Sequence, residues 1–110
     1  MLLVTTFSIT ISENYRGLGC FKDDQKDHAV PDLVRNFRTH IVWSNITKTI
    51  NECAEYVRHN YPNYKVFALQ FYGECWTGRK AKNTYDKYGA SGECWNKVGK
   101  EHTNYVYSFD

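Results

Sequence analysis

One hundred and ten residues, 42 % hydrophobic and 24 % charged, match ordinary globular usage, which excludes a disordered chain and leaves room for one core. The formal charge is only +2, with Lys and Arg interspersed among Asp and Glu, so no basic stripe exists for nucleic acid. No run approaches the roughly 18 apolar residues that span a bilayer, and no Pro-rich or Gly/Ser-rich linker divides the chain, so 1–110 reads as a single module.

Residues 1–6 lack a basic n-region and read as a candidate signal remnant, after which Phe7, Ile9 and Ile11 alternate with Ser8, Thr10 and Ser12 and predict a half-buried strand. Gly17 to Phe21 reads as a short extended piece whose glycines let the backbone pack closely. A polar loop follows to His28. Its acidic stretch, Asp23-Asp24-Gln25-Lys26-Asp27, is diluted by Lys22 and Lys26 and reads as solvated rather than as a calcium cage, which needs about six oxygens. Pro31 can open a helix, and Leu33, Val34 and Phe37 recur at helical spacing, predicting one or two turns before Arg38.

Ile50, Cys53, Ala54 and Val57 share one face of a helix over 50–59, with Thr49 and Glu52 as a T-x-x-E capping box and Tyr61-Pro62-Asn63 as its stop. The run 65–72 is apolar on nearly both faces, with Val66, Ala68 and Gln70 on one side and Phe67, Leu69 and Phe71 on the other. It reads as the central strand. From Gly73 to Lys100, Gly and polar residues predict a long ordered loop held by its cysteines. Residues 105–109 alternate again and close the sheet. The tetrapeptide Gly73-Glu74-Cys75-Trp76 recurs as Gly92-Glu93-Cys94-Trp95, predicting two local structures that each place a Trp beside a disulfide.

The four cysteines, Cys20, Cys53, Cys75 and Cys94, are too far apart for zinc knuckles or a CxxC redox pair. An even, dispersed set predicts two disulfides, with three pairings open, and an oxidising compartment. The sequon Asn45-Ile46-Thr47 agrees with that location and makes Asn45 a candidate glycosylation site.

His28, His40, His59 and His102 are scattered and fit no nucleophile or metal pattern, and His59 suits the C-terminal end of a helix. Glu74 and Glu93 would act as a glycosidase pair only if folding set them roughly 5 to 9 Å apart. The expectation is a protein that binds rather than catalyses, with no cofactor and no metal. The candidate ligand site is Trp76, Arg79, Tyr85, Tyr88 and Trp95, ringed by Lys80, Lys82, Asn83, Asp86 and Lys87. Sugars present apolar C–H faces and a hydroxyl rim, so they need flat aromatics beside fixed hydrogen-bonding groups. The competing reading makes the two Trp shields for the disulfides, with the Tyr rings finishing a small core. Trp43 reads as a core residue or one at the start of the helix.

Gly19-Cys20-Phe21 with Asp23, Cys53-Ala54 on a helix, Phe67-Ala68-Leu69-Gln70 leading into Tyr72-Gly73-Glu74-Cys75-Trp76 and Gly78, and Val106-Tyr107 together resemble the WSC-type extracellular domain. WSC domains carry more cysteines than the four here, so the chain looks like a reduced relative, similar to modules of secreted and cell-surface invertebrate proteins. The resemblance implies an α+β fold of the WSC/PAN kind: a small, mostly antiparallel sheet, one main helix packed on it, and a disulfide-held loop region. It implies a bridge from the helix cysteine to the central strand, hence Cys53 to Cys75, and Cys20 to Cys94 by exclusion. It also implies an extracellular module that binds a glycan or adheres to an extracellular protein. The alternative is a structural subunit of an extracellular homo-oligomeric assembly, joined through exposed aromatics and edge strands.

Overall fold

The computed structural model describes residues 14–109. Its elements run β1 (Arg16–Lys22), β2 (Asp32–Asn36), α1 (Ile46–Asn60), β3 (Val66–Gln70), β4 (Glu74–Thr77), β5 (Cys94–Trp95), β6 (Val98–Gly99) and β7 (Thr103–Ser108), with 3₁₀ turns at Arg38–His40 and Ala81–Asn83. Five strands form one sheet in the order β1-β7-β3-β4-β2, every pairing antiparallel, and β5 and β6 form a separate hairpin. The α+β class expected from the sequence is the one found.

β3 is central because its side chains are buried on both faces, and alternation sends them to two different cores. Phe67 and Leu69 pack with Cys75 and Tyr107 beneath Ile46, Ile50, Cys53, Ala54 and Val57 of α1. Val66 and Ala68 face the other way, into Val30, Trp76, Ala81 and Val106. The residues around Val30 and the 3₁₀ turn at Ala81–Asn83 close that second face. Tyr107 stacks on Phe67 at 5.0 Å between ring centroids, and Tyr15 meets both rings edge-on.

The helix begins four residues before the expected start. Ile46 lies one turn ahead of Ile50 on the buried face, and Asn45 is the N-cap residue. Thr49 is therefore interior and buried, and Glu52 pairs instead with Lys48 at 2.8 Å, so the capping box does not form. The one or two turns of helix expected after Pro31 are replaced by strand β2. A bulge between Leu33 and Arg35 breaks its alternation and mimics helical spacing in the sequence. The expected loop over 73–100 contains β4, β5 and β6. β7 does not close an edge: it lies between β1 and β3, leaving β1 and β2 outermost. The strand expected over 7–12 lies outside the described residues.

Both disulfides pair as the resemblance implies, and no described cysteine is free. Cys53–Cys75 ties α1 to β4, the neighbour of the central strand rather than that strand itself. Cys20–Cys94 ties β1 to the β5–β6 hairpin. Their sequence separations of 22 and 74 correspond to about 3 and about 4 kcal/mol of denatured-state loop entropy. Such bonds form and persist in an oxidising environment. No described helix is long and apolar enough to cross a membrane.

Tyr107 gives the fold an alkaline limit. It is 4 % exposed and donates its hydroxyl to the Lys97 carbonyl at 2.7 Å. Burial pushes its phenol far above the ordinary 10.0, and Tyr105 and Tyr15 add to the shift. Below that ordinary value both folded and unfolded chains keep the proton, so no stability depends on it. Above it the unfolded chain releases the proton while the folded chain retains it, so stability falls as pH rises. Tyr107→Phe should cost about 1 kcal/mol at neutral pH through the lost hydrogen bond, yet lose less stability than wild type above about pH 10. Denaturant melts across that pH range read both effects; parallel profiles would refute this role for Tyr107.

Candidate functional site

Left-handed backbone at residues with a side chain is uncommon and collects where a structure fixes an unfavourable geometry. The described non-glycine residues with positive φ are Asn63, Phe71 (52°), Tyr72 (71°), Asn96 (47°), Lys97 (68°) and His102 (61°). All but Asn63 belong to three turns: β3 to β4, β5 to β6, and β6 to β7. The first of these turns is hydrogen-bonded to the end of β6 and the start of the β6–β7 turn. The Phe71 amide donates to the Lys100 carbonyl at 3.1 Å and the Tyr72 amide to the Gly99 carbonyl at 2.8 Å. Gly99 is required where β6 passes β7, since a Cβ there would lie 1.8 Å from the Thr103 carbonyl oxygen.

The docked turns carry an aromatic cluster on their outer side. Trp43, from the turn that leads into α1, Tyr72 and Trp95 sit with ring centroids 5.5, 5.9 and 6.3 Å apart, all edge-on or tilted. Trp43 is 55 % and Trp95 37 % exposed, which corrects the reading of Trp43 as a core residue. With Lys100 the three rings line an open depression of about 410 Å³. Lys100 approaches Glu93 at 3.8 Å across solvent, a weak pair that leaves the ammonium accessible.

The same turns wall a second, more polar pocket of about 420 Å³, lined by Gln25, His28, Gln70, Phe71, Glu74, Trp76, Glu101 and His102. Alternation places Gln70, Glu74 and Trp76 on the sheet face away from α1. Behind them Asp23, its side chain 1 % exposed, accepts from the Ala29 amide at 2.7 Å, from Gln70 Nε2 at 2.9 Å and from His28 Nδ1 at 2.6 Å. Asp23 is thus a buried organiser rather than part of a solvated loop. Because a carboxylate only accepts, His28 carries its proton on Nδ1 and Gln70 turns its NH₂ inward. Gln70 Nε2 also donates to Asn104 Oδ1 at 2.9 Å, while Asn104 Nδ2 is buried with no partner among the described residues. The Trp76 indole N–H donates to Glu74 Oε1 at 3.1 Å, and the His28 ring packs on Trp76 with centroids 4.5 Å apart. Gln25 contacts the His102 ring, and Glu101 approaches it at 3.7 Å.

The expected ligand site does not come together as one surface. Trp76 is 8 % exposed, in the second core, with only its rim at the polar pocket. Tyr85 packs edge-on against Phe21 at 5.1 Å. Tyr88 donates to the Asp27 carbonyl at 2.6 Å, and Lys87 and Tyr88 together hold the exposed Asp27 carboxyl below its usual range. Arg79 is exposed on the turn after β4. Trp95 alone belongs to the outer aromatic cluster. Asn45, the sequon residue, is exposed, makes no side-chain cap hydrogen bond, and stands on the rim of a groove between α1 and β2. Sequence reasoning missed Trp43, Tyr72 and the polar set. The only available signal was the run Phe71-Tyr72-Gly73, a hairpin turn without the Asn-Gly chemistry such turns favour.

Compared with known proteins, the chain matches no family model, no curated protein and no solved structure.

The turn strain is measurable. Asn96-Lys97 is the two-residue connection of the β5–β6 hairpin, and both residues are left-handed. Lys97→Gly, which keeps the carbonyl that accepts from Tyr107, should stabilise the fold by about 0.5 to 1 kcal/mol in urea melts. A destabilised variant would show that the Lys97 side chain contributes more than its backbone costs.

Proposed function

We propose that the chain is a secreted or cell-surface binding module that takes a glycan, or a glycosylated extracellular surface, on the Trp43–Tyr72–Trp95 cluster. The observation that carries this reading is the cluster itself: two exposed indoles and a phenol, fixed by mutual contact and, at Tyr72, by a left-handed turn hydrogen-bonded to the end of β6. Aromatic faces accept the C–H faces of sugar rings, and Lys100 and the neighbouring polar pocket offer partners for hydroxyls. Pre-ordering the rings removes the entropy cost that a floppy aromatic loop would incur on binding. The resemblance to WSC-type domains and the two disulfides support an extracellular setting. In that setting the unencumbered Asn45 amide is a glycan acceptor.

A second reading, lateral assembly of copies, is favoured by the outermost strand β2, where Leu33 is 48 % exposed. A monomer in sedimentation at high concentration removes it.

The glycan reading is tested by a glycan array followed by calorimetric titration of the strongest hit. Trp95→Ala and Trp43→Ala should each weaken binding by about tenfold or more, as expected for anchoring aromatics, and ligand should shift the indole fluorescence. Absence of binding to any glycan overturns the reading.

A further inference from the structure

The polar pocket behind the cluster is unequal in its hydrogen-bonding groups. Gln70 is 4 % exposed and lines it; its NH₂ is committed to Asp23 and Asn104, and its Oε1 has no hydrogen-bond partner among the described residues. Amide geometry allows no alternative, because reversing Gln70 would set its carbonyl against the buried Asp23 carboxylate. Glu74 uses Oε1 for the Trp76 indole, and its Oε2 has no partner among the described residues. Glu101 adds a second carboxylate, 3.7 Å from the His102 ring. Unused acceptors therefore converge beside two aromatic rings, Phe71 and Trp76.

Among the groups facing the pocket, Glu74 and Glu101 are anionic, and His28 and His102 can carry positive charge. Asp23 lies behind His28, bonded to its Nδ1. Arg38, a permanent cation, is exposed and lies against Phe71, its guanidinium carbon 3.6 Å from the ring centroid. A neutral hydroxyl offers one donor to this set. A protonated primary amine offers three, together with the charge that two carboxylates favour. We propose that this pocket binds the ammonium group of an amino sugar, the ring that carries it lying against the rim of Trp76 and Phe71. The proposal rests on the glycan reading and names the sugar class it selects: saccharides with a free, unacetylated amine.

The probes are a glucosamine tetramer and its fully N-acetylated counterpart, titrated calorimetrically into the whole protein below about pH 7, where the sugar amine is protonated. The free-amine oligomer should bind at least about tenfold tighter, the scale of one charge-assisted hydrogen bond. Glu74→Gln keeps the acceptor for the Trp76 indole, so the fold is retained. It should remove most of that preference, bringing the affinities of the two oligomers within about threefold of each other. Glu101→Gln, on an exposed turn, should weaken the preference in the same direction. Equal affinity for the two oligomers, or a preference that both variants leave intact, overturns the amine assignment and leaves the glycan reading standing. Binding of neither oligomer nor any other glycan removes both, and a preference for tetralysine over the sugar overturns the saccharide assignment.

Discussion

Two backbone hydrogen bonds, from the amides of Phe71 and Tyr72 to the carbonyls of Lys100 and Gly99, fix the end of the molecule that carries the aromatic cluster and the polar pocket. They join the turn after β3 to the end of β6, two segments that the sheet alone does not hold together. With the docking in place, Tyr72 meets Trp95, Phe71 walls the polar pocket, and Lys100 and Glu101 fall on different surfaces although adjacent in sequence. Left-handed backbone at two aromatic residues costs on the order of 1 to 3 kcal/mol each. It persists because the bond Cys20–Cys94 and the buried side chain of Val98 over-determine where the hairpin lies. Phe71 and Tyr72 could swap direction only by breaking both bonds.

The long-range skeleton was legible where side chains carry a clear period. Ile50, Cys53, Ala54 and Val57 marked the helix, and the alternation from Val66 to Gln70 correctly divided β3 between two cores. The resemblance supplied the disulfide pairing. Legibility failed where non-local contacts outweigh local pattern. Leu33, Val34 and Phe37 follow helical spacing, yet pairing with β4 draws 32–36 into an edge strand, and the bulge hides its alternation. β5 and β6 are only two residues each, too short to leave a period in the sequence. They exist because Cys94 and Val98 are anchored from elsewhere.

The repeated tetrapeptide is the sharpest case. Gly73-Glu74-Cys75-Trp76 and Gly92-Glu93-Cys94-Trp95 each set a Trp next to a bridged cysteine, as their identity suggested. The first belongs to a strand flanked on both sides, so alternation points Cys75 under the helix and Trp76 into the opposite core. The second belongs to a two-stranded hairpin with no third strand beside it, and Trp95 remains open to solvent. Sheet context decided burial. A tetrapeptide encodes which side of a strand each residue takes, but not whether anything covers that side.

Asp23 shows the same limit for polar groups. In sequence it belongs to a charged run, and charged runs are ordinarily solvated. Burial of its side chain is tolerated because its two oxygens together take an amide N–H, the Gln70 NH₂ and the His28 ring N–H. Two of those donors come from the nearby residues 28–29, but the third comes from β3, 47 residues on, so no local window could reveal the full set. The consequence reaches the pocket: by claiming the Gln70 NH₂, Asp23 leaves the Gln70 side-chain oxygen without a partner among the described residues. A buried carboxylate thus decides which end of the amide in front of it is left to accept a hydrogen bond.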